Sequence, residues 1–153
     1  MTDNNSELLL IGIGNTMRQD DAIGIEVVRN YKSQYSDFVK VLEIKDDLTR
    51  LLTIWNDKDV IVVDAVESDE KGFIEFYNFE EIYNFSQSLR NAHSIGFEQV
   101  LKLAIELHQG PKSIYFIGIP SKFYALGDQM RGSTKEKIPE IINKIDGYIS
   151  KNF

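Results

Sequence analysis

At 153 residues the chain is long enough for one domain, whose core would bury roughly 70% of the unfolded surface. Its 42% hydrophobic and 27% charged residues exclude a disordered or fibrous chain, and a net charge of −7 argues against broad affinity for nucleic acid or an anionic membrane. Cysteine is absent, so there is no disulfide, no thiol nucleophile and no thiolate metal site, as suits a reducing, cytoplasmic setting.

Leu8 to Ile13 is a continuous apolar run, the pattern of a strand buried on both faces. Gly14 to Asp21 reads as a loop. From Ala22 onward, Ile23, Val27, Val28 and Tyr31 repeat at helical spacing. Val39 to Ile44 is a second strand. Leu48, Leu51, Leu52 and Trp55 mark a short amphipathic helix, with Asp46 or Asp47 placed to cap it. Val60 to Val63 is a β-branched third strand that ends in Asp64, and Gly72 opens a fourth from Phe73 to Tyr77. Phe79 to Arg90 shows no clean period and reads as irregular. Phe97, Val100, Leu101 and Ala104 belong to a long helix ending near His108 and Gly110. Ser113 to Ile119 is the fifth strand, and Ser121 to Gly132 is a loop. Ile138, Ile141, Ile142, Ile145 and Ile149 form the last helix, with Pro139 in its first turn.

No apolar run approaches the 18 residues of a membrane span, and Met1 to Glu7 lacks the basic and apolar start of a secretory signal. There is no internal repeat and no linker, so residues 1–153 are expected to form a single domain. Strands alternating with helices predict an α/β sandwich of three layers. Its core is a mixed, mostly parallel five-stranded sheet with helices on both faces. The tight connection at Gly72 makes the fourth strand the expected exception, an antiparallel edge. Ligands of such sheets bind outside the carboxyl ends of the strands. Strands one, three and five place Gly14-Asn15, Asp64 and Gly118 there.

Asp21, Asp64 and His93 are the groups that can reach one sheet edge. Two carboxylates and an imidazole suit a divalent metal of borderline hardness, although their spacing matches no local metal signature. Each also has an ordinary reading. Asp20 or Asp21 would cap the helix from Ala22, and His93 would be a solvated loop residue. His108, at a helix end, suits the helix dipole. Gly12-Ile13-Gly14 begins a dinucleotide fingerprint, with Glu43 placed as a ribose-binding acid. Met17 stands where the third glycine belongs, and Asp20 and Asp21 would repel a pyrophosphate. A receiver-like phosphorylation domain would use Asp20, Asp21, Asp64 and Lys122 and leave His93 without a role. No Gly-x-Ser-x-Gly elbow supports a serine hydrolase.

Gly12-Ile13-Gly14-Asn15 followed by Asp20-Asp21-Ala22-Ile23-Gly24 resembles the opening motif of the hydrogenase maturation proteases. Val60 to Ala65 resembles that family's second motif. Asn91-Ala92-His93-Ser94-Ile95-Gly96 resembles its histidine motif, and Tyr115 to Ile119 the strand that follows. The resemblance implies an endopeptidase that trims the C-terminal extension of the nickel–iron hydrogenase large-subunit precursor after metal loading. It implies a metal trio of Asp21, Asp64 and His93, which would also be the catalytic set. The nickel would arrive with the precursor, and zinc or cadmium would be its surrogates. Gly12, Gly14, Asn15 and Glu43 would form the loops that meet substrate. Many members carry an acid and then a Gly-Thr segment after the second strand. Here Glu43 takes the place of that acid, and Ile44-Lys45-Asp46-Asp47 replaces the glycines. That departure keeps open a catalytically silent protein of the same fold that binds the metal centre or the precursor. No nucleic-acid partner and no membrane insertion are expected.

Overall fold

The computed structural model describes residues 7–45, 47–88 and 95–153, with side chains described outside 86–98. Five strands form one sheet: β1 (Leu8–Ile13), β2 (Val39–Ile44), β3 (Asp59–Glu67), β4 (Ile74–Phe76) and β5 (Ser113–Ser121). Their order is β2-β1-β3-β5-β4. β2, β1, β3 and β5 run parallel, and β4 pairs antiparallel with β5 at one edge, as the Gly72 connection predicts.

The unbroken apolar strands are explained by a core on each side of the sheet. Leu8, Leu10, Ile61, Val63, Tyr115 and Ile117 face α1 (Ile23–Arg29) and the last helix. Leu9, Ile11, Val60, Val62, Ile114 and Phe116 face α2 (Leu51–Ile54), α3 (Phe79–Ser88) and α4 (Ile95–Leu107). Two further helices, α5 (Gly132–Lys135) and α6 (Ile138–Asn152), close the chain. Full burial of each Leu, Ile or Val contributes about 1.5–3 kcal/mol, so the two faces together dominate the fold. Trp55 is fully buried, and its indole N–H donates to the Gln109 carbonyl at 2.9 Å.

Backbone contact positions α1. A Cβ on Gly12 would lie 2.3 Å from the Gly24 carbonyl oxygen, and one on Gly24 would lie 2.3 Å from that of Ile13 and 2.4 Å from that of Val63. Glycine at 12 and 24 therefore lets the helix rest on β1 and β3 with no side chain between.

Four expectations change. β3 continues to Glu67, so Asp64 lies inside the strand and not at its end. β5 runs through Pro120 to Ser121. Pro120 is tolerated because β4 pairs with β5 no further than Gly118, leaving no ladder bond on that side for its missing N–H. Phe79–Ser88 is a helix, with Phe79, Ile82, Tyr83 and Phe85 packed on the second core. Asn78 caps its start: Oδ1 accepts from the Glu81 N–H at 2.9 Å, and Nδ2 donates to the Glu81 carboxylate at 2.7 Å. Lastly, neither Asp20 nor Asp21 caps α1, whose N-terminus has no side-chain cap bond. Asp47 does cap the turn before α2, accepting from the Thr49 N–H at 3.0 Å, while Asp46 lies outside the described residues. His108 takes φ +54, and Gln109 N–H donates to the Ala104 carbonyl at 3.0 Å, which closes α4 in a Schellman turn. That is a structural role.

Candidate active site

The first loop, between β1 and α1, is folded upon itself by its own sequence. Asn15 Oδ1 accepts from the Met17 N–H at 2.8 Å, an Asx turn that reverses the chain. Gly14 N–H donates to the Ile44 carbonyl at 3.2 Å, Asn15 N–H to that of Asp21 at 3.3 Å, and Asp21 N–H to that of Arg18 at 3.0 Å. These bonds end in a single 3-10 turn, Gln19–Ala22, that packs against β3. A Cβ on Gly14 would lie 2.2 Å from the Asp21 carbonyl oxygen. Gly14 is thus required by a close approach, not by a left-handed φ: among the described glycines only Gly127 has one. Gly12 lies within β1 beneath the same helix.

Asp21 and Asp64 are both buried, at 2% and 5% exposure. Asp64 sits on β3 opposite Gly118 of β5, on the sheet face of Val60, Val62 and Val66, which α4 covers. Tyr124, from the loop after β5, packs against the core on the α1 face. Burial pushes its hydroxyl well above the ordinary phenol range, and the negative charges of Asp64 and then Asp21 push it further. Both carboxylates raise the same buried phenol, so Asp21, on the turn before α1, and Asp64, within β3, lie within electrostatic reach of Tyr124. Sequence reasoning passed over Tyr124, because its loop carries no periodicity.

The remaining candidates fall elsewhere. His93 lies outside the described residues. Among the described residues no three His, Asp or Glu side chains group as a metal site. Glu43 holds Arg29 in a bidentate pair at 2.9 and 3.0 Å, with Lys45 at 3.7 Å; the Arg29 bond holds its carboxyl below the ordinary value. Asp20 is fully buried among Ser121, Arg131 and Thr134. Burial would raise its carboxyl, but hydrogen bonds from Arg131, Ser121 and Thr134 outweigh it and hold the value down. Lys122 pairs with Asp69 at 2.7 Å on the surface. The lysine and one acid that a receiver-like domain needs are therefore engaged with other partners.

The comparisons with known proteins speak to family and fold. A family model described as hydrogenase maturation protease matches residues 25–147, a span that contains Asp64 and His93 but begins after Asp21. The hydrogenase 2 maturation protease of Escherichia coli K12 is 26% identical over 117 residues, covering 73% of this chain and 71% of its own. The solved structure of the [NiFe] hydrogenase maturation protease HybD from Thermococcus kodakarensis has TM-score 0.72 at 26% identity, covering 93% of this chain and 98% of that one. The hydrogenase maturating endopeptidase HybD from E. coli has TM-score 0.80 at 19% identity, covering 95% and 93%; that likeness is one of fold.

Proposed function

The chain belongs to the hydrogenase maturation protease family, and from that premise we propose that it removes the C-terminal extension of a nickel–iron hydrogenase large-subunit precursor. The observation that carries the proposal is the pair of buried carboxylates, Asp21 on the turn before α1 and Asp64 within β3, whose charges both reach Tyr124. In this reading Asp21, Asp64 and His93 meet the nickel that the precursor brings as cargo, and zinc or cadmium would serve as surrogates. Two carboxylates and an imidazole match such an ion in charge and hardness. The metal of the loaded precursor would polarise the scissile carbonyl.

The chain's own part is proton handling. One carboxylate of the pair takes the proton of the attacking water as its oxygen bonds to the scissile carbonyl carbon. The C–N bond then breaks, and the same proton passes to the departing amine. The products are a new C-terminal carboxylate and a free tail peptide. Gly14 and Asn15 fix the loop that presents Asp21, next to the path of the precursor. We place the protein in the cytoplasm on its cysteine-free composition. Among the described residues no helix is long and apolar enough to cross a membrane.

A second reading, a silent binder of the same fold, is favoured by Glu43: its carboxylate is taken up by Arg29 where many members present an acid and glycines. One experiment separates the two. Purified precursor, nickel-loaded and nickel-free, is incubated with the protein and weighed by mass spectrometry. The protease reading expects loss of the tail mass from the loaded form only. A stable complex with the precursor intact would establish the binder instead.

A further inference from the structure

Asp20 takes no part in the chemistry above, yet it is fully buried and collects donors from three places in the chain. Its Oδ1 accepts from the Arg131 backbone N–H at 3.0 Å. Its Oδ2 accepts from Ser121 Oγ at 2.7 Å, from Thr134 Oγ1 at 2.7 Å, and from the Arg131 guanidinium at 2.7 and 2.8 Å. Ser121 ends β5, while Arg131 and Thr134 stand at the start of α5. These donors therefore bracket the loop of residues 122–130 that carries Tyr124.

The loop is also stitched along its length to the first loop. Asp20 N–H donates to the Phe123 carbonyl at 2.9 Å, Gln19 N–H to that of Asp128 at 3.1 Å, and Gly127 N–H to that of Met17 at 2.7 Å. Ala125 N–H donates to Gln19 Oε1 at 3.2 Å. The Arg131 guanidinium lies 3.7 Å above the Phe123 ring. Gln19 adopts φ +48 within this arrangement, a strained backbone that persists only where its surroundings hold it.

We propose that Asp20 is a positioning residue, whose carboxylate buckles the 122–130 loop to the first loop so that Asp21 and Tyr124 reach Asp64 as one rigid wall. Stability alone accounts poorly for it. A buried ion pair roughly breaks even against well-packed apolar residues, and its best-attested use is to fix a single geometry. Asp21 is the next residue after Asp20, and Tyr124 the next after Phe123, so a buckle at Asp20 acts on both. The catalytic half of the proposal rests on the maturation-protease reading; the buckle itself does not.

The test uses Asp20→Asn, which keeps the shape and removes the charge, beside Arg131→Lys, which keeps the charge and loses the forked geometry. Two readouts are taken on the full chain. Hydrogen exchange follows the amides of Gln19, Asp20 and Gly127, and steady-state cleavage of nickel-loaded precursor yields kcat and KM separately. Asp20→Asn should speed exchange at those amides at least about tenfold and lower kcat by roughly 10- to 100-fold, with KM moving much less. Arg131→Lys should fall between it and wild type on both. If Asp20→Asn does not fold, Ser121→Ala and Thr134→Val each remove one donor and should show the same effects in smaller steps. Unchanged amide protection would overturn the buckle. Loosened amides with wild-type kcat would overturn its role in positioning. If the wild type leaves the precursor whole, the protease reading falls, and the exchange readout still decides the buckle.

Discussion

Replacing Gly14 with alanine probes how tightly the first loop must fold to present Asp21. The new Cβ would lie 2.2 Å from the Asp21 carbonyl oxygen, whereas ordinary contact begins near 3.4 Å. Some part of the loop must therefore yield by about 1.2 Å. The displaced oxygen is the one that accepts the Asn15 N–H, so that bond weakens as well. Overpacking of this kind typically costs about 1–3 kcal/mol of stability, and the lost bond adds about 1 kcal/mol. A misplacement of about 1 Å at a reacting group can cost on the order of 100-fold in rate. Gly14→Ala should thus lower kcat for precursor cleavage by about two orders of magnitude at temperatures where it is fully folded. Gly12→Ala is the comparison: its Cβ would meet Gly24 at 2.3 Å, away from the loop, and should cost stability first. The assay is cleavage of nickel-loaded precursor followed by mass spectrometry, with thermal unfolding measured on the same samples. Wild-type kcat for a folded Gly14→Ala protein would refute the reasoning, because Asp21 would then tolerate the shift.

Asp64→Asn should cut cleavage by at least about 10²- to 10⁴-fold, while the melting temperature holds or rises slightly, since one buried charge is removed; a large fall in melting temperature would speak against this. Tyr31 donates to Asp146 at 2.8 Å, and its hydroxyl is pushed up to about 12 by burial, with Asp146 adding to the effect and Ser33 opposing it. A raised folded value means this stabilisation is complete below pH about 10 and is lost as pH rises towards about 12, by about 2–3 kcal/mol in all. Tyr31→Phe should flatten the alkaline limb of the stability profile over that window, and an unchanged limb would contradict it. Asn78→Ala removes the side-chain cap of α3 and should cost about 1 kcal/mol in chemical denaturation without changing cleavage.

Much of this architecture is written in the sequence at short range. Leu8–Ile13 is read to the residue, because a parallel strand covered on both faces leaves an uninterrupted apolar run bounded by polar residues, and Val39–Ile44 is read to the residue from its β-branched ends although Lys40 and Glu43 interrupt it at the sheet edge. Asp64 is identified as a candidate but misplaced at a strand end. Asp64 interrupts the apolar run, while the ladder to β5 continues through buried Ala65 and Val66 to Glu67. The helix Phe79–Ser88 is hidden because its core face is built from Phe79, Tyr83 and Phe85, residue types that favour strands as much as helices, although Asn78 and Glu81 carry its start signal. The site is half legible. Asp21 and Asp64 follow from position and motif, but the Asp20 buckle depends on bonds across more than a hundred residues of chain, and Tyr124 comes near the two acids only in the folded chain. Asp20 is read as a helix cap because local spacing is all that a sequence offers. Its actual partners, Arg131 and Thr134, become neighbours only once β5 and α5 are in place.

The most direct test of the account is the mass of a nickel-loaded hydrogenase large-subunit precursor after incubation with wild-type protein, with Asp21→Asn and with Asp64→Asn. The account predicts that wild type removes the C-terminal tail as one fragment and that both variants, though folded, leave the precursor at full mass. Equal tail removal by wild type and Asp64→Asn would contradict it.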